Sequence, residues 1–368
     1  MIIRDNQCPN GTLQMKTGIA HLPLHGGKAP SWLFQRMKKL AREITLSIVD
    51  EWGTDEMLTR LSDPFWFQAF GCVLGFDWHS SGLTTTVCGA LKEGIRGLEG
   101  ELGFFVAGGK GRASRKTPFQ IEQYCQDLSM DAENLIYASK MSAKVDNTAL
   151  QDGYQLYHHT FLFTKEGKWS VIQQGMNANN RYARRYHWNS EGVKNFVCEP
   201  QQAICCDMKG KSLNMVAQES EKTRQVSTLL SKEKPEKIVA EIKKVEQLIL
   251  PKHHDIKPLD FNTKRLEKIL VKTYERQSEN FEALLGLKGV GPKTIRALSL
   301  LSELVYGAKP SFRDPARFSF SHGGKDGYPF PVDKNNYDFS IDFLSKCINN
   351  AKINNQDKKE AFKRLSRF

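Results

Sequence analysis

FEALLGLKGVGPKTIRAL, residues 281–298, is the stretch on which the architecture of the carboxy-terminal third turns. Leu284 and Leu285 close one apolar helical face, and Ile295 and Leu298 open another. Between them Gly289 and Gly291 flank Val290, which permits a tight turn with one apolar residue able to plug the gap between two helices. Pro292 suits the first turn of the second helix, where a missing N–H costs little. Amides at a helix start lack an intrahelical acceptor and favour an anion. Lys288, Gly289, Val290, Gly291, Lys293, Thr294 and Arg296 are therefore the expected phosphate-binding set.

The G-V-G-x-K-T core with its placed leucines resembles the helix-hairpin-helix motif of DNA repair, recombination and replication proteins. The resemblance implies DNA as partner, held by its phosphates in a salt-sensitive and sequence-tolerant way. An ordinary helical hairpin whose glycines only close a turn fits the same residues.

Composition agrees with a polyanion partner without choosing one. Lys and Arg exceed Asp and Glu by 12, which suits nucleic acid, an anionic membrane surface or an acidic protein. No apolar run reaches the roughly 18–20 residues that a membrane span requires. Residues 1–14 lack a charged-then-apolar secretory pattern, so a cytoplasmic location is expected. The eight cysteines are scattered without a repeated C-x-x-C pair, which supports neither a disulfide scaffold nor a zinc ribbon.

The chain length of 368 residues suits two or three domains, and the patterning predicts an α+β fold. Residues 15–217 read as a mixed α+β domain, the candidate catalytic one. It should open with a helix at 32–51, where Leu33, Met37, Leu40, Ile44 and Ile48 keep helical spacing, and a second helix at 55–61. Pro64 should break that pattern before the aromatic run at 65–70, which reads as core. Residues 154–164 and 168–174 flank Lys165-Glu166-Gly167 and predict a β-hairpin. Residues 218–257 read as a charged segment, a linker over 218–235 followed by a helix at 236–250. Residues 258–368 form the expected helical DNA-binding domain.

A second resemblance spans nearly the whole chain. TGIAHLPLHGGKAPSWLF (17–34), LSDPFWFQAFG (61–71), FDWHSSG (76–82), AGGKG (107–111), SKMSAKVD (139–146), QDGYQLYHH (151–159) and HGGKDG (322–327) carry it. They resemble a family of archaeal and bacterial proteins catalogued as a domain of unknown function. It implies no chemistry, which must come from the residues.

Asp77 and His79, two apart on an extended segment, would share one face. They could hold a divalent ion, Mg2+ or Mn2+, or His79 could act as an acid or base; a hydrogen-bonded turn is the alternative. Residues 107–118 mix glycines with Lys110, Arg112 and Arg115, the recipe for an anion-binding loop, without the spacing of a P-loop. A flexible basic surface loop fits equally. His158 and His159 sit on the predicted strand and face opposite ways, with Asp152 near its start. Glu166-Gly-Lys168 matches an E-x-K pattern but occupies the hairpin turn. Arg184 and Arg185, among Tyr182, Tyr186 and Trp188, could meet phosphates and stack on bases, or form a solvated basic segment. The leading expectation is a metal-dependent nuclease of DNA repair or recombination, with Asp77, His79, Lys110, Asp152 and His159 as the catalytic candidates. A non-catalytic repair accessory and an RNA-binding factor are the alternatives.

Overall fold

The apolar spacing dictates the first helical layer. In the computed structural model, which describes residues 29–76, 81–206, 208–245, 263–316 and 334–366, the first expected helix is α1 (Ser31–Trp52). Its Met37, Leu40, Ile44 and Ile48 are buried along one stripe. Gly53, at φ +87°, redirects the chain into α2 (Thr54–Ser62). The pattern breaks at Pro64 as expected: α2 ends at Ser62, and Pro64 opens α3 (Pro64–Val73), where its missing N–H is no loss. The Asp63 carboxylate caps this helix, accepting from the amides of Phe65 at 2.7 Å and Trp66 at 3.1 Å. The aromatic run is core, as expected.

Helix α4 (Gly82–Gly94) and the single turn α5 (Glu99–Leu102) lead into strand β1 (Phe104–Lys110). A 3-10 turn at Gly111–Lys116 runs into α6 (Thr117–Leu128), and α7 (Glu133–Lys144) ends in a π-helical turn, Val145–Ala149. Then come β2 (Leu150–Gln151), β3 (Gln155–Thr164), β4 (Trp169–Asn177), β5 (Tyr182–Asn189), β6 (Ala203–Cys205) and β7 (Leu213–Asn214). The expected hairpin is β3–β4, with Gly167 at φ +81° in its turn. Strands β1-β3-β4-β5-β6, in that order, form one antiparallel sheet, and β2 pairs with β7.

Side chains alternate across the sheet, and each face carries its own core. Phe105, Phe161, Phe163, Val171, Tyr186 and Trp188 pack with α6 and α7 on one side. Phe104, Val106, Leu162 and Ile172 pack with α1 to α4 on the other. Both faces are covered, so strands β3 to β5 are buried almost throughout.

The remaining helices are α8 (Glu221–Leu230), α9 (Pro235–Val245), α10 (Thr263–Arg276), α11 (Phe281–Gly286), α12 (Pro292–Tyr306), α13 (Lys334–Asn350) and α14 (Asn355–Leu365). The linker expected over 218–235 is largely helix α8, which buries Thr223, Arg224 and Ser227. Its polar composition hid a packed face built from small and hydrogen-bonded side chains. The described residues of 263–366 divide between the two cores: Leu284, Leu285, Val290, Ile295 and Leu298 join the first, Phe343, Leu344 and Ile348 the second. Each such aliphatic burial contributes roughly 1.5–3 kcal/mol, so the hairpin region is fastened to the sheet rather than tethered to it.

Candidate nucleic-acid interface

The Asn280 side chain accepts from the Ala283 amide at 2.8 Å and starts α11. The turn that follows holds Gly289 at φ +103°, a conformation side-chain-bearing residues rarely adopt. Val290 is buried beneath the turn and closes the gap between α11 and α12. Gly291 is different: its φ of −136° and ψ of −175° are ordinary extended backbone. A Cβ there would meet nothing closer than the Gly289 carbonyl oxygen at 3.9 Å. The first helical bond of α12 runs from the Ile295 amide to the Gly291 carbonyl, and no side chain caps the helix. Lys288, Gly289, Pro292 and Lys293 are exposed around this start, whereas Thr294 is buried.

Two side chains of the α+β part fix the turn. The Lys144 ammonium donates to the Leu287 carbonyl at 3.2 Å and to the Val290 carbonyl. Burial lowers its pKa from the usual lysine value. Gln151 donates to the Pro292 carbonyl at 2.9 Å and accepts from Arg296 at 2.8 Å. Arg296 is thus engaged with the scaffold.

At the end of β1 the loop expected over 107–118 is an ordered turn. Gly108 must be glycine, because a Cβ would lie 2.2 Å from the His159 carbonyl oxygen. Its amide donates to Gln120 Oε1 at 2.8 Å, which also accepts from Lys92 at 2.8 Å. Lys110, Arg112, Arg115 and Lys116 project from this turn and are exposed. The Lys110 ammonium sits 5.9 Å from the centre of the Tyr157 ring.

The other cations and acids expected at a site are inside the molecule. Arg184 and Arg185 are both 0% exposed, which corrects the expectation that they meet phosphates. They lie on β5, a strand covered on both faces, so neighbouring arginines enter opposite cores. Arg184 pairs with Asp152 at 2.8 Å and with Asp314 at 2.8 Å. Burial alone would lower its pKa, and those carboxylates outweigh it, holding the guanidinium well above its usual value. The same Asp152 accepts from the Tyr186 hydroxyl at 2.7 Å. Arg185 donates to Gln68 at 3.2 Å and lies 4.8 Å from the Phe67 ring; burial lowers it to about 10.

His159 is likewise enclosed. Its Nδ1 is 2.9 Å from Gln173 Oε1 and its Nε2 is 2.9 Å from Ser139 Oγ. An amide oxygen only accepts, so Nδ1 carries the proton and Nε2 accepts from the serine hydroxyl. Burial pushes its pKa down to about 4. Asp152 and His159 are therefore each engaged in buried hydrogen bonds, while Lys110 stands exposed at the end of β1. These three catalytic candidates do not form one open cleft. Asp77 and His79 lie outside the described residues.

A family model described as "Protein of unknown function (DUF763)" matches residues 18–332. The chain belongs to this family. No curated protein and no solved structure matches the chain. The family match takes in the hairpin turn, the basic turn and the buried network alike.

Sequence reasoning missed Lys144, Gln151 and Asp146. The first two sit in the motifs SKMSAKVD and QDGYQLYHH, but nothing in their spacing announces contacts to residues about 140 positions away. Asp146 accepts from Gln173 at 2.6 Å, Trp188 at 2.8 Å and Gln201 at 2.7 Å, with burial raising its pKa to about 8. A carboxyl buried among uncharged donors leaves no signature in sequence.

Proposed function

We propose that this chain is a DNA-binding protein of a repair or recombination setting, which holds the phosphate backbone at residues 287–294 with help from Lys110, Arg112 and Arg115. Gly291 is the observation that carries the reading. The fold does not require glycine there, since its backbone angles are ordinary and the space around it is open. A side chain would instead stand in front of the α12 start, where a phosphate would approach the first-turn amides. Lys144 supports the same reading by occupying the turn's carbonyls, which leaves its outward face to amides and cations.

Binding of a mixed-sequence duplex, followed by fluorescence anisotropy across about 50–200 mM salt, tests this. The expected slope of log affinity against log salt is about −4 to −5, matching five contacts from Lys110, Arg112, Arg115, Lys288 and Lys293. Gly291→Val should melt like wild type and bind at least about tenfold more weakly. Equal affinity of Gly291→Val and wild type, or a preference for RNA at matched salt, overturns the reading.

Among the described residues no group of three or more His, Cys, Asp or Glu is placed to hold Mg2+ or Mn2+. Asp152 and His159 are engaged in structural hydrogen bonds.

A further inference from the structure

Segment 110–119, KGRASRKTPF, contains Lys110, Arg112, Arg115 and Lys116 and neither Asp nor Glu. None of the four cations is held by a carboxylate among the described residues. The turn that presents them is braced from within. Ser114 Oγ donates to the Gly111 carbonyl at 2.6 Å, and Thr117 Oγ1 donates to the Ser114 carbonyl at 2.8 Å. On the first turn of α6, Phe119 is 57% exposed. The next residue, Gln120, is locked to Gly108, so the ring is carried on a fixed platform. An exposed aromatic ring on an ordered backbone, in the same turn as cations that no carboxylate holds, is the arrangement that takes an unpaired base and its flanking phosphates. A regular duplex offers its phosphates but no base face to such a ring.

The basic turn and the hairpin also share one end of the sheet. Lys110 is opposite His158 in the β1–β3 ladder, two residues from Leu156. The Leu156 amide donates to Asn147 of the π-helical turn, one turn beyond Lys144, which holds the hairpin. The basic turn and the hairpin are thus joined through β3 and the π-helical turn.

We propose that the chain recognises DNA carrying a single-stranded arm: the hairpin anchors the duplex, and the turn at 110–119, which meets only phosphates on a blunt duplex, takes the unpaired strand with a base stacked on Phe119. This rests on the DNA-binding reading above and names its substrate class.

The test compares blunt duplex, the same duplex with a single-stranded tail, and single-stranded DNA alone, each fluorescently labelled. Wild type should bind the tailed duplex about tenfold more tightly than the blunt one. Phe119→Ala should abolish that advantage and leave blunt-duplex affinity unchanged, while Phe119→Trp should keep it. The double variant Arg112→Ala/Arg115→Ala should lessen the salt slope on tailed DNA by about 1.4. Phe119 is exposed, so matching thermal melts will exclude misfolding. Equal wild-type affinity for blunt and tailed duplex overturns the proposal, as does an undiminished tail advantage in Phe119→Ala. In either case duplex binding that remains sensitive to Gly291→Val leaves the hairpin reading standing. Failure of wild type to bind any DNA overturns both.

Discussion

Arg184 and Lys144 are two buried or half-buried cations with opposite consequences. Arg184 is neutralised by two carboxylates inside the first core. Removing one partner of such an ion pair leaves a charge in low dielectric, so Arg184→Met should destabilise the protein by about 3–5 kcal/mol. Urea unfolding monitored by tryptophan fluorescence measures this, and a change below about 1 kcal/mol refutes the buried pair. Lys144 faces only carbonyls of the hairpin turn. Lys144→Met should cost about 1–2 kcal/mol of stability and weaken duplex binding severalfold, because the turn carbonyls lose their donor. Unchanged affinity would show that the turn keeps its shape unaided. The sequence marks all these residues as basic but gives no direction. Arg184 and Arg185 look like neighbours on a basic surface, and strand alternation sends them into two different cores. Lys288 and Lys293 were legible because a helix start and a glycine turn fix which way the backbone faces.

At the scale of elements, the hairpin α11–α12 shares its core with the sheet. Val290 and Leu298 pack in the same cluster as Phe161 and Trp188. Amide hydrogen exchange should therefore report one opening free energy for α12 and β4, within about 1 kcal/mol. A hairpin that opens several kcal/mol below the sheet would contradict the shared core. The elements themselves were largely readable. Periodicity placed α1 and α2, and the polar turn at Lys165-Glu166-Gly167 placed β3 and β4. Helix α8 was not readable, because its packed face uses Thr223, Arg224 and Ser227 instead of an apolar stripe. Arg224 satisfies itself on the carbonyls of Met215 and Ala217, both at 2.7 Å, which no pattern of hydropathy predicts. The β1–α6 turn was readable as glycines and cations, but its order comes from Gln120, a residue with no local signal.

For the whole molecule, the exposed cations of the two basic surfaces govern binding, and the buried titratable groups govern the response to pH. Burial drives the pKa of His158 to about 3 and that of His159 to about 4, from 6.5, and holds His187 well below 6.5. In the unfolded chain each titrates near 6.5. Below that pH the unfolded chain takes up protons that the native state refuses, so stability is lost as pH falls from about 6.5 towards 4. Asp146 acts in the other direction. Burial raises its pKa from 3.8 to about 8, so the unfolded chain releases this proton first, and stability is lost as pH rises from about 4 to 8. Between pH 5 and 6.5 the three imidazoles oppose Asp146 and Asp152, whose carboxyl burial also raises, and the histidines win by about one to two protons at most, or about 1–3 kcal/mol per pH unit. Above about pH 7 the carboxyl contribution prevails, a gentle decline of about 0.5 kcal/mol per unit up to about 8. Urea midpoints measured between about pH 5 and 9 should thus peak between about 6 and 7. Asp146→Asn should flatten the alkaline side and leave the acidic side steep. A stability profile that is level across the acidic window would mean that the three imidazoles are open to water.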